Sequence, residues 1–287
     1  MSKRGVERLA PAKINLALHV TGRRADGYHL LDSIAVFADI GDRVVIEPAD
    51  ELRIILSGPF AAHAPGDRTD LSWRAAMAFF AKAGIRPGAT ISVEKNIPAG
   101  AGLGGGSADA AAVLAGLNEL FSAGLSPEVL KAIGLKIGAD VPMCLEGRTL
   151  RARGIGEDIA PVEGLPPLPM VLVWPGRTVS TAEVFSKLQR RDNPPLGEPP
   201  TATTPTELAA WLAGCRNDLE APAMAVAPEI GEVLAALRGT ENCLLARMSG
   251  SGSACFALYA TRAEADAAAE QISAQRPGWW VAAAYAA

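Results

Sequence analysis

Apolar and polar residues alternate from Lys13 to Val20, with Ile14, Leu16, Leu18 and Val20 on one side and Lys13, Asn15, Ala17 and His19 on the other. A period of two predicts a half-buried strand and puts Lys13 and Asn15 on one face. An Asp26-Gly27 turn signal follows, and residues 30–37, 43–46 and 52–56 read as further strands. Residues 73–82 have helical character and 91–93 read as a short strand. Gly100, Gly102, Gly104, Gly105 and Gly106 then crowd a loop. A helix is expected from near Ser107 to about Leu120. The next has Ser126 as N-cap, Pro127 at its first position and Glu128 in its first turn, and should stop near Gly138.

The remainder repeats the mixture. An apolar run at 168–174 ends at Pro175-Gly176, and Ser180 with Glu183 spells a capping box for a helix through Leu188. Residues 190–207 hold many Pro and Thr without apolar period, so an exposed, mobile loop is expected. Helical spacing returns at 208–213 and 230–237, strands at 244–248 and 254–259 flank Ser249-Gly250-Ser251-Gly252-Ser253, and a helix at 263–272 precedes a terminal strand at 279–285. The pattern is α/β (α+β), and 287 residues favour two domains.

Charge narrows the partners. The net charge of -4 comes from 31 acidic and 27 basic residues without a run of one sign, so no surface for nucleic acid or anionic lipid is indicated and a small-molecule partner is expected. Cys144, Cys215, Cys243 and Cys255 lie far apart with no CxxC pair, which suits neither a disulfide framework nor a zinc site and fits a reducing, cytoplasmic setting. Pro11, Lys13 and Asn15 interrupt any signal-peptide core, and no apolar stretch is long enough for a bilayer.

Five glycines directly before a helix let the backbone approach a ligand, while the helix aims unpaired N–H groups at it; such a site suits phosphate. A tightly packed turn is the bland alternative. Gly100, Gly102 and Gly105 satisfy G-x-G-x-x-G, yet the preceding strand carries Glu94 and Lys95, and Glu119 ends a helix where a dinucleotide fold wants a strand. A Walker loop needs Gly-Lys, and none of the seven lysines follows a glycine.

The run Lys95-Asn96-Ile97-Pro98-Ala99-Gly100-Ala101-Gly102-Leu103-Gly104-Gly105-Gly106-Ser107-Ala108-Asp109 resembles the phosphate loop of the GHMP kinases. Pro11-Ala12-Lys13-Ile14-Asn15-Leu16, Arg24-Ala25-Asp26-Gly27-Tyr28-His29, Gly138-Ala139-Asp140-Val141-Pro142 and Ser249-Gly250-Ser251-Gly252 extend the resemblance over nearly the whole chain. It implies a two-domain GHMP kinase fold. Residues 1–155 would form a ribosomal-protein-S5-like ATP-binding and catalytic domain, and 156–287 a ferredoxin-like substrate-binding domain. It also implies transfer of the ATP gamma-phosphate to the 2-hydroxyl of a cytidine-diphosphate-linked methylerythritol, on the non-mevalonate route to isoprenoid precursors, by a monomer or weak homodimer.

By the same resemblance Asp140 takes the hydroxyl proton and Lys13 stabilises developing charge. Lys95 and residues Pro98 to Ala108 hold ATP, and Asn15, Tyr28, His29, Thr181, Phe185, Ser249 and Gly250 hold the substrate, with cytosine at Tyr28 and His29 and Phe185 as an opposing wall. Magnesium (Mg2+) accompanies ATP; no protein ligand is assigned, and Ser107 is a candidate whose other role is capping. Each role has a plainer rival: Asp140 as an N-cap, Lys13 as a solvated strand lysine, Phe185 as core, Ser249 to Ser253 as a hairpin turn. His19 and His63 receive no role. Kinases of homoserine or mevalonate, and a ligand sensor that has lost catalysis, are the alternatives; the Tyr28-His29 turn argues against the first, and the presence of Lys13 and Asp140 against the second.

Overall fold

The computed structural model describes residues 5–286, which divide into two compact units. The first unit takes residues up to Lys13, Ile40–Ala99 and Gly104–Gly147; the second takes Ile14–Asp39, Gly100–Leu103 and the chain from Arg148. Strands β1 (Val6–Arg23) and β2 (His29–Pro48) therefore give residues to both.

In the first unit the end of β2 pairs antiparallel with β4 (Ala89–Glu94), from Arg43 opposite Glu94 to Pro48 opposite Ala89, and β3 (Arg53–Ser57) runs parallel to β4. β4 alternates buried Ile91 and Val93 with half-buried Thr90, Ser92 and Glu94, the register of a one-faced strand. Among its described residues four α-helices complete the unit. α1 (Leu71–Ala83) is capped by Asp70, whose carboxylate accepts from the Ser72 N–H. α2 (Gly105–Leu120) is Ala-rich and buried along most of its length. α3 (Pro127–Ile137) starts on the Ser126 cap with proline at its first position and ends at Gly138, as the sequence predicts. α4 (Val141–Glu146) is a short helix opened by Asp140.

In the second unit β2 pairs with β5 (Leu150–Gly154), which pairs with β6 (Asp158–Pro161). The apolar run at 168–174 becomes β7 (Leu168–Trp174), a central strand with antiparallel neighbours on both edges and buried at every residue. Helices α5 (Thr181–Ser186), α6 (Pro205–Ala213), α7 (Glu220–Met224) and α8 (Glu229–Arg238) follow. The hairpin β8 (Leu245–Met248) and β9 (Cys255–Leu258), helix α9 (Arg262–Gln275) and strand β10 (Trp280–Ala286) close the chain, with β9 and β10 flanking β7. Val171, Val173, Ile230, Val233, Leu234, Met248, Tyr259 and Ile272 are central to its core. Among the described residues no helix is long and apolar enough to cross a membrane.

Two expectations are corrected here. β1 is buried on both faces through its middle, because its polar residues have partners: Asn15 bonds Ser33, and His19 holds the Pro194 carbonyl and the Arg216 N–H. The segment at 190–207 is also anchored, with Leu196 and Ala202 buried. Buried Asp32 accepts two hydrogen bonds from Arg151, at 2.8 Å each, and one from the Leu196 N–H at 3.0 Å; Arg151 returns one to the Leu196 carbonyl. Its last residues already belong to α6, which Thr204 and Glu207 open with a capping box.

Candidate functional site

In the first unit, Lys13 is aimed by β1 and Asp140 by the turn into α4. Lys13 Nζ donates to Asp140 Oδ2 at 2.7 Å, with the lysine side chain buried and the carboxylate 39% exposed. Asp140 occupies the N-cap position of α4, yet its side chain caps nothing. An acid free of its usual structural task and paired with a buried cation is equipped to receive a proton.

The start of α2 lies beside this pair. Gly104, at φ 70°, is so close to the lysine that a Cβ there would stand 3.2 Å from Lys13 Cβ. Only glycine combines that conformation with that approach. No side chain caps α2, so the N–H groups of Gly105, Gly106 and Ser107 keep the positive end of the helix open. Ser107 therefore does not cap; a Cβ on Gly138, in the Asp140 turn, would lie 3.8 Å from its hydroxyl. Lys95 is placed otherwise: its ammonium is buried against Asp42 and Asp109. Pro98 and Ala99 continue from it toward the glycines.

The second unit gathers another set. Gly100 lies against Thr178, and the Ala101 carbonyl accepts from the Ala254 N–H at 2.8 Å. Gly102, at φ 82°, would put a Cβ 2.6 Å from the Ser249 carbonyl, and its own carbonyl accepts from the Ser249 hydroxyl at 3.1 Å. Leu103 is buried. Ser249 Oγ also accepts from the Asn15 N–H, while Asn15 Oδ1 is buried without a partner next to Gly250. The Ser249 to Ser253 segment is thus more than a hairpin turn: it clasps the middle of the glycine-rich segment.

Sequence reasoning missed the residue that shapes this clasp. Asn217 donates to the carbonyls of Met248 and Gly250, both at 2.8 Å. The polar triplet Arg216-Asn217-Asp218 between two helical stretches was the available signal.

His29 and Phe185 stack with ring centroids 4.7 Å apart and an interplanar angle of 22°. His29 Nε2 is buried and unpartnered, whereas Tyr28 is 60% exposed. Burial, and after it the charges of Arg23 and Arg191, hold the imidazole below its ordinary value. Thr181 shares a hydrogen bond of 2.8 Å with Ser251. An imidazole nitrogen in need of a partner, a stacked ring and an exposed phenol suit a planar heteroaromatic group.

A lysine–carboxylate pair beside the open end of a glycine-led helix has the groups that phosphoryl transfer needs, and the comparisons give the chain a family. Residues 70–148 match the GHMP kinases N terminal domain and residues 202–278 the GHMP kinases C terminal domain. The chain belongs to the GHMP kinase family: it is an enzyme, with the GHMP kinase fold and ATP as co-substrate. Over 277 residues it is 53% identical to a 4-diphosphocytidyl-2-C-methyl-D-erythritol kinase of Cereibacter sphaeroides, covering 96% of this chain and 97% of that one. The kinase of the same name from Dinoroseobacter shibae is 52% identical over 280 residues, 97% of this chain and 94% of the relative. A crystal structure of 4-(cytidine 5'-diphospho)-2C-methyl-D-erythritol kinase superposes with a TM-score of 0.80 at 39% identity, covering 98% of this chain and 99% of that chain.

Proposed function

We propose that the protein transfers the gamma-phosphate of ATP to the 2-hydroxyl of 4-diphosphocytidyl-2-C-methyl-D-erythritol, giving the 2-phosphate and ADP. The observation that carries the reading is the Lys13–Asp140 pair next to the uncapped start of α2. The named relatives supply the acceptor.

In this reading Asp140 accepts the hydroxyl proton as the oxygen bonds to the gamma-phosphorus, and the bond to the ADP oxygen breaks. Lys13 offsets the charge that develops, and the amides of Gly105 to Ser107 receive phosphate oxygens. Asn15 Oδ1, buried without a donor, orients the alcohol. Cytosine satisfies His29 Nε2, with Tyr28 and Phe185 as its ring contacts, while Thr181 and Ser249 to Gly250 support the substrate. Magnesium screens the phosphate charge when bound, and Ser107, a hard oxygen donor beside the Asp140 turn, is the residue that would touch it. The expected domains are residues 1–155 for ATP binding and catalysis, which also lend Asn15, Tyr28 and His29 to the substrate, and 156–287 for the rest of the substrate site, in a cytoplasmic enzyme.

The test is ATP consumption by the purified protein with magnesium, offering the cytidine alcohol beside homoserine and mevalonate. Turnover confined to the cytidine alcohol is expected. Turnover with either of the others in its place sinks the assignment of His29 and Tyr28.

A further inference from the structure

Lys95 stands at the entrance to the glycine-rich segment, 2% exposed. Its ammonium is shared by Asp42 Oδ2 and, at 2.5 Å, Asp109 Oδ2. The other oxygen of Asp42 accepts the backbone N–H groups of Asn96 at 2.6 Å and Ile97 at 3.0 Å. Asp42 lies on β2 and Asp109 in the second turn of α2. One buried cluster thus ties together a strand, the first residues of the loop and the helix whose leading amides stay open. The helix start is pressed against the same group: a Cβ on Gly105 would meet Ile97 Cδ1 at 3.3 Å and Asp42 Oδ2 at 3.6 Å.

Three charges withdrawn from water are a poor way to gain stability alone, since apolar side chains of similar volume fill such a site as well or better. The arrangement is not even fully satisfied. Asp109 Oδ1 is buried without a partner, and burial pushes this carboxyl up although Lys95 pulls it down. What an ionic cluster adds over an apolar one is direction: each bond fixes an atom of one element against an atom of another. Here the fixed quantity is the spacing between the loop entrance and the amides of Gly105 to Ser107. A side chain this enclosed, with both neighbours accepting from its ammonium, has no free face for a nucleotide.

We infer that Lys95 is a positioning residue for ATP: bridged to Asp42 and Asp109, it holds the loop entrance against α2 so that the helix amides meet the phosphates, without touching the nucleotide itself. The inference rests on the reading of the α2 start as the phosphate site.

Calorimetric titration of ATP into the full chain tests it, with wild type beside Lys95→Met, Asp42→Asn and Asp109→Asn, and with kcat and the KM of the cytidine alcohol measured on each. Small displacements of a binding group are costly, so ATP affinity should fall by about 10–100-fold in Lys95→Met and less in the two amide variants. The KM of the alcohol should stay unchanged, and kcat at saturating ATP should fall less than affinity. Loss of ATP binding in Lys95→Met alone, with both amide variants like wild type, would mean that the lysine contacts the nucleotide, and the inference fails. It fails too if all three bind ATP normally, or if ATP and alcohol binding weaken together with thermal stability. Should Lys95→Met not fold, Asp109→Asn decides, because it preserves shape and the Lys95–Asp42 pair: weakened ATP binding with an intact alcohol KM supports the inference, and normal ATP binding overturns it. A wild type that binds no ATP removes the phosphate-site reading itself.

Discussion

Asp140 stands at the N-cap of α4 and gives its carboxylate to Lys13 instead, with Oδ2 2.7 Å from Nζ. The pair is asymmetric, the lysine enclosed and the acid open to a ligand. Because the carboxylate does no capping, removing it leaves the helix intact. Asp140→Ala should therefore lower kcat by about 10²–10⁴-fold, the usual worth of a general base, with ATP affinity retained. Steady-state rates and nucleotide titration on the same preparation check both halves. Near-normal turnover would remove Asp140 from the mechanism.

Gly104 connects the loop to this pair. At φ 70° with Lys13 Cβ at contact distance, an added methyl group meets two penalties at once. The left-handed conformation costs an alanine about 1–2 kcal/mol. The crowding pushes Lys13 away from Asp140, and small misplacements at a reacting centre cost up to about 10²-fold in rate. Gly104→Ala should thus lose much more turnover than stability, as denaturant melts and kcat on one sample would show. A variant with full turnover would mean that the contact with Lys13 is incidental.

Much of this architecture was legible along the chain because its signals are local. Ser126-Pro127-Glu128 announces α3, and the unbroken apolar run announces β7, since caps and two-sided burial are written in adjacent residues. The alternation in β1 located the strand but not its environment. Lys13, Asn15 and His19 look solvent-facing until their partners are known, and those partners come from remote parts of the chain. Lys95 shows the same limit. The glycine motif places it near a phosphate loop, but Asp42 and Asp109, 53 and 14 residues away, determine where its ammonium goes. For the site itself, motif order identified the residue types, while the uncapped start of α2 and the unpartnered atoms of Asn15 and His29 arise only from the surroundings that the folded chain builds.

The Asp32–Arg151 pair gives a stability test of the anchored segment. Both side chains are nearly inaccessible, and together they bind Leu196 through its N–H and its carbonyl. Arg151→Met takes from buried Asp32 its two close cationic hydrogen bonds, leaving the Leu196 N–H and Arg153 at 3.9 Å, so the loss should approach the value of about 3–5 kcal/mol typical of a broken buried pair. The urea midpoint should fall accordingly, and proteolysis should move to residues 190–207. An unchanged midpoint would show that the segment is held without Arg151.

His29 yields a pH dependence of known sign. Its imidazole titrates near 6.5 in an unfolded chain and lower in the folded protein, because burial first, and then Arg23 and Arg191, disfavour the charged form. The folded state therefore prefers neutral His29. That preference contributes stability above about 6.5 and is lost as the pH falls through the folded value. Burial favours the neutral ring, and its unpartnered Nε2 is the atom offered to the base. The KM of the cytidine alcohol should then be flat from alkaline pH down through about 6.5 and rise only at more acid values, as imidazolium forms. His29→Gln keeps a polar side chain but cannot titrate, so it should raise that KM throughout and abolish the acid rise, with the ATP KM profile unchanged. Initial rates over a pH series with each substrate varied in turn decide it. An inflection that sits at or above the ordinary imidazole value, or that survives in His29→Gln, would place the titrating group elsewhere.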